Sequence, residues 1–312
     1  VRGRFGRLGR DGVDLTTALL LHALAQPAGG RRAPTQPPVE GSGAMPTIGF
    51  RGVQPRDSNA CGAYAVTAAL LAFDTGFAPA GAELAVQTPH LDNATFRLSV
   101  ADPAPEVNPS APGPSAFANQ LYGLTGVLAA PPGFAAVDSS PATRAQPPGA
   151  PAVRSANSGL NTPYAMVSSL LQLNGALSVT VNLTEPCEAF LTGLMGPVVD
   201  SEIALVDALA GARLVRRPAL YLDPQTLEGV SGVSGAVQLA LVGNALAPAL
   251  SMHWLVRGAD NRWYDPGNGS ADNRWSVPDE IAPSLPAPDE DFGGATLGPY
   301  VWTGLWIDLI KS

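Results

Sequence analysis

Glycine and proline cut this chain into short stretches, and that limits what it can build. Gly 34 and Pro 31 are about a fifth of the 312 residues, so long loops must interrupt the core that an apolar fraction of 46% can form. Residues 102–114 are Pro-rich. Residues 130–160 form a Pro/Ala/Gly stretch of the kind that lies on a surface as an insertion, and the irregular region as a whole spans about 101–160.

Between these breaks the apolar pattern names the elements. Met45 to Val53 reads as a short lead-in strand, and 54–60 as a polar loop ending in capping residues. A helix follows from about Cys61 to Asp74 and stops near Gly76. Leu84 to Val100 holds a hairpin with Asp92 and Asn93 at its turn, and Ser115 to Leu128 a helix weakened by Gly123 and Gly126. Thr162 and Pro163 pair a cap with a first-turn proline and open a helix to about Leu173. Ser178 to Leu183 is strand-like. Asp200 and Ser201 cap a helix to about Ala210 with Ile203, Leu205, Val206 and Leu209 on its apolar face. Arg213–Leu222, Val237–Val242 and Leu250–Arg257 are β-rich, and an aromatic strand closes the chain from Tyr300 to Ile310. Helices early and strands late is α+β order, with a helical part packed against an antiparallel sheet.

Residues 1–44 stand apart. The Arg-rich start and the apolar run Leu15 to Ala25 faintly resemble an export signal. A Pro/Gly/Arg-rich leader, with Met45 as the translation start, fits better. On either reading 45–312 is the folded domain. No apolar run is long enough to span a bilayer. The net charge of −8 argues against general nucleic-acid binding, which needs a basic face. Cys61 and Cys187 do not make a disulfide framework, although spacing does not exclude their pairing. The cytoplasm is favoured over secretion.

Cys61 opens its helix as Asn59-Ala-Cys-Gly-Ala-Tyr64. Sulfur at a helix N-terminus faces unpaired N–H groups and the positive end of the dipole, which favour the reactive thiolate. Alone, Cys61 would more often be one more small core residue. His253 shifts that balance. It lies in Leu250-Ser-Met-His-Trp-Leu-Val256, and Gly258 to Asn261 turn the chain back toward Asp265. A hairpin symmetric about Ala259 sets Val256 opposite Arg262 and His253 opposite Asp265, close enough for a carboxylate to hold the imidazole. His22 falls in the leader and His90 in a loop without a strand around it. Gln54 is the candidate oxyanion donor beside the Cys61 N–H, with Asn59 competing for that role. No histidine–cysteine cluster has metal-ligand spacing, so neither metal nor cofactor is expected. Gly258–Pro266 and Ser270–Pro278 form a small repeat, read as two similar turn-to-strand units; only the first carries the carboxylate, Val277 standing at the equivalent place.

These motifs resemble the papain-like cysteine peptidases, nearest the bacterial double-glycine leader peptidases of family 39. There, too, a Gln precedes a Cys-Gly helix start, a His opens an apolar strand, and a turn leads to Asp-Pro, here Asp265-Pro266. The resemblance implies a Cys61–His253 couple, Asp265 as orienter, Gln54 in the oxyanion hole, and a nucleophile helix against an antiparallel sheet. It implies a thiol hydrolase acting on a peptide or protein substrate. Acyl transfer on the same triad, or an inactive binding module with this fold, are the alternatives. Gln54 stands seven residues before Cys61 where the family usually has six, and the interval from Cys to His is longer. Asn59-Ala-Cys-Gly62 also looks like the nucleophile segment of ubiquitin C-terminal hydrolases, which the remainder of the chain does not match.

Overall fold

A computed structural model describes residues 45–56, 58–88, 94–101, 113–128, 159–217, 236–244, 252–275, 296–297 and 300–311. The leader, His90, the Asp92-Asn93 turn and most of 130–160 lie outside the described residues. The elements in order are α1 (Cys61–Phe73), β1 (Glu83–Thr88), β2 (Ala94–Ser99), α2 (Gly113–Thr125), α3 (Pro163–Leu173), β3 (Leu177–Thr184), α4 (Glu185–Met195) and α5 (Val198–Ala208). Then come β4 (Ala212–Arg217), β5 (Ala236–Asn244), β6 (Met252–Arg257), β7 (Trp263–Asp265), β8 (Ser270–Asn273), β9 (Thr296–Leu297) and β10 (Tyr300–Lys311). The protein is α+β. Its large sheet runs β4-β3-β10-β5-β6-β7-β8, with β9 beside β10, while β1 and β2 form a separate hairpin. Among the described residues no helix is long and apolar enough to cross a membrane.

The sheet is not wholly antiparallel as the sequence suggested. β3 and β4 pair in parallel, because α4 and α5 lie between them and such a crossover returns the chain in the same direction. The remaining pairs are antiparallel. β10 is an interior strand, between β3 and β5. Between Trp302 and Leu305 its register to β5 shifts. Gly304 sits there at φ +92, where a Cβ would come 2.1 Å from Thr184 Oγ1, so the bulge admits only glycine without strain.

Alternation along the strands gives the sheet two apolar faces. Val181, Leu239, Val256 and Ile307 face the main core, which contains the buried sides of the five described helices. Ala240, Val242, Leu255, Trp263, Trp302 and Trp306 make a second cluster. A buried polar row also crosses the strands. Arg217 Nη2 donates to Asn182 Oδ1 at 2.9 Å, and Asn182 Nδ2 donates to Asp308 Oδ2 at 2.8 Å. Gln238 Nε2 donates to Asp308 Oδ1 at 3.0 Å, and Arg257 Nη1 to Gln238 Oε1 at 3.2 Å. Burial pushes the Asp308 carboxyl up to about 6 although Gln238, Asn182 and Trp306 all hydrogen-bond it.

Local expectations fared unevenly. Thr162 caps α3 through Ala165 N, with proline in the first turn. α5 begins at Val198, before Asp200, and its N-cap Pro197 makes no side-chain cap. The 54–60 loop does not end in a capping side chain either, because Ala60 is the N-cap of α1. Met45–Val53 is not a strand. Pro46, Ile48 and Phe50 are buried in alternation with exposed neighbours, so the period of two is present, but single contacts replace a ladder. Ala259 N donates to Pro46 O at 3.0 Å and Tyr264 Oη to Gly52 O at 2.7 Å. The repeat does not form two like units: Ala259 and Asp260 are in a turn, whereas Ala271 and Asp272 lie within β8.

Candidate active site

α1 has an apolar, uncharged sequence and is buried from Cys61 through Leu70. A helix covered on all sides suits short side chains, and Ala63, Ala65, Ala68 and Ala69 are fully buried. It packs against β5 and β6. Phe50 ties the arrangement together, its ring centroid 6.1 Å from Tyr64 of α1 and 5.5 Å from Tyr264 of β7. Cys61 is thus held at the start of a rigid element, 5% exposed.

His253 is the second residue of β6 and hydrogen-bonds Asp265, and Cys61 is close enough to bear on its titration. Its Nε2 lies 2.8 Å from Asp265 Oδ1, with the imidazole side chain 13% exposed. This contact was expected from spacing, but through a different register. The ladder sets Val256 opposite Tyr264 and Arg257 opposite Trp263. The turn therefore pivots on Asp260 instead of Ala259, and Asn261 takes a left-handed φ of 61 to close it. Gly258 N donates to Arg262 O across the turn at 2.9 Å. Because the partner moved by two residues, every side chain kept its face. His253 and Asp265 meet as diagonal neighbours.

Asp265 is 2% exposed and its carboxylate is saturated. Oδ1 accepts Gly267 N at 2.7 Å; Oδ2 accepts Tyr300 Oη at 2.7 Å and Asn268 Nδ2 at 3.2 Å. Burial alone would raise this carboxyl, but the hydrogen bond and charge of His253, then Tyr300 and Gly267, hold it below the usual aspartate range. Burial likewise pushes the imidazole down, yet the hydrogen bond to Asp265, the neighbouring Cys61 and the charge of both lift it to about 9. The ring of Tyr300 stacks on that of His253, centroids 5.4 Å apart. Burial and the neighbouring Asp265 push the Tyr300 phenol well above its ordinary value, so it donates its proton to the carboxylate.

Gln54 is brought into the loop that precedes the thiol. Its backbone N–H donates to Pro266 O at 2.9 Å, beside Asp265, while its Nε2 donates to Ser58 O at 3.1 Å. Asn59 meets the sulfur through its carbonyl, 3.9 Å from Sγ. The amide that approaches the sulfur from across the cleft is one the sequence reading missed. Asn161 Nδ2 lies 4.0 Å from Cys61 Sγ and donates to Asn59 O, while Asn161 Oδ1 accepts Thr125 Oγ1 at 2.6 Å. Gly62 makes room for it, since a Cβ there would fall 2.5 Å from Asn161 Cβ. The only local signal was that Asn161 precedes the cap of α3. Its distance along the chain from Cys61 hid the rest. Tyr300 was read merely as the start of the closing strand.

Cys187 is free, as is Cys61. It is fully buried in α4, and burial raises its thiol to about 12. Among the described residues no group of His, Cys, Asp and Glu could hold a metal ion. No family model, curated protein or solved structure matches this chain.

Proposed function

We propose that the protein is a papain-like thiol hydrolase that cleaves a peptide or amide bond through an acyl-enzyme. The observation that carries this reading is one imidazole held 2.8 Å from a buried carboxylate and electrostatically coupled to a thiol at a helix N-terminus. With Nε2 held by Asp265, the ring keeps Nδ1 for the thiol. His253 takes the proton of Cys61, and the thiolate attacks the carbonyl carbon. The oxyanion is met by the Cys61 N–H and by an amide side chain, Asn161 on the geometry and Gln54 on the sequence motif. His253 then protonates the leaving amine, and water releases the acid.

An iodoacetamide-type probe tests the reading, with Cys187 as internal control. Cys61 is expected to label below about pH 8, and His253→Ala to slow labelling by about 100-fold or more. Labelling of Cys61 no faster than Cys187 would leave a binding module that keeps the fold without the chemistry.

A further inference from the structure

A cavity of about 90 Å³ opens directly from Cys61 and Asn161. Its far walls are hydrocarbon. Val181, Leu183, Leu241 and Leu305 come from the sheet, and Ile203 and Val206 from α5. The polar side chains Asn59, Asn161, Thr162 and Glu202 also line it, Asn59 beside the sulfur, and the last three have protein partners. Asn161 bonds Asn59 O and the Thr125 hydroxyl. Thr162 Oγ1 accepts Ala165 N at 3.2 Å, and Glu202 Oε2 accepts Tyr164 N at 3.3 Å. A peptide group drawn into this space would lose water without comparable bonds in return, whereas a methylene chain loses nothing polar.

We infer that this cavity receives the acyl chain of the substrate, and that the group on the carbonyl side of the scissile bond is a slender aliphatic chain. The inference rests on the Cys61 reading above and names the substrate class for that site. Cys61 Sγ forms a bond to the acyl carbon as the carbon–oxygen or carbon–nitrogen bond breaks. The leaving alcohol or amine departs with the proton that His253 took from the thiol. Water then adds to the thioester and gives a proton to His253, which returns it to sulfur as the carbon–sulfur bond breaks and the carboxylic acid leaves. A cavity of about 90 Å³ is smaller than the roughly 150 Å³ that admits benzene. Straight chains fit better than rings.

The test is a series of p-nitrophenyl esters from acetate to octanoate, with benzoate beside them. kcat/KM is expected to rise about fourfold per methylene as far as hexanoate and to be low for benzoate. Val206→Trp and the milder Ile203→Phe should lower the hexanoate-to-acetate ratio at least tenfold. A flat profile while mass spectrometry shows Cys61 acylated overturns the acyl cavity and leaves the thiol enzyme standing. Full turnover in Cys61→Ala overturns the thiol reading instead. Calorimetry of hexanoate with Cys61→Ala then decides the cavity by itself: saturable binding weakened by Val206→Trp or Ile203→Phe supports it, and no binding sinks it.

Discussion

Replacing Asp265 by asparagine probes the centre of the site through one titration. His253 stands at about 9 against an ordinary 6.5, a gap equivalent to about 3 kcal/mol in favour of the imidazolium. Burial works against that charge, so Asp265 and Cys61 together must supply more than the net gap. Asp265→Asn keeps the shape and removes the carboxylate's charge. The His253 midpoint is then expected to fall from about 9 toward 6.5, read from the imidazole carbon-bound proton by NMR and assigned with His253→Ala. Stability should follow. The folded ring keeps its proton to a higher pH than the unfolded ring, so its contribution is complete below about 6.5 and is lost as pH rises through about 9. Urea unfolding should show the wild type losing up to about 3 kcal/mol across that window relative to Asp265→Asn. A midpoint that stays near 9 in the variant, or two stability curves that run parallel, would refute the carboxylate as the source.

Tyr300→Phe removes the 2.7 Å bond to Asp265 Oδ2, and the unfolding free energy should fall by about 2 kcal/mol; a change below about 0.5 kcal/mol would show the phenol to be idle. Gly304→Ala places a Cβ 2.1 Å from Thr184 Oγ1 at φ +92, so a loss of about 2 kcal/mol or more is expected in denaturant, and an unchanged midpoint would contradict the bulge. Asp308 carries its proton in the fold up to about 6 against 3.8, so its contribution is full below about pH 4 and is lost as pH rises through about 6. The difference in unfolding free energy between wild type and Asp308→Asn should therefore slope downward over that range, and a level difference would count against a protonated Asp308.

Much of the site was legible because it was written in short-range patterns. Cys61 at a helix start, His253 in a strand and Asp265 beyond a turn are each set by a handful of neighbours, and the structure brings them together. Register was the fragile step. Asparagine tolerates the left-handed conformation that Asn261 adopts, but Gly258 in the same turn would tolerate it too, so the residue types do not set the pivot, and the contact survived only because strand parity survived. The parallel β3–β4 pair follows from two helices seen in sequence but not recognised as a crossover. Asn161, 100 residues from Cys61, depends on how α2 and α3 pack, and no local pattern reports that. Met45–Val53 shows the reverse failure: an alternating pattern records which side chains go inside, but it is silent on whether a strand lies alongside.

The polar row through Asp308 bears on the chemistry without touching it. Sliding β10 by one residue would swing that acid toward Val181 and Leu239 and strand it among hydrocarbons. Asn182 and Gln238 thus act as a gauge mark for the strand. The far end of the same strand carries Tyr300, eight residues away, or roughly 25 Å at full extension. A charge well removed from the reacting atoms therefore calibrates where the phenol meets its acid, and misalignment there would be felt at the imidazole first.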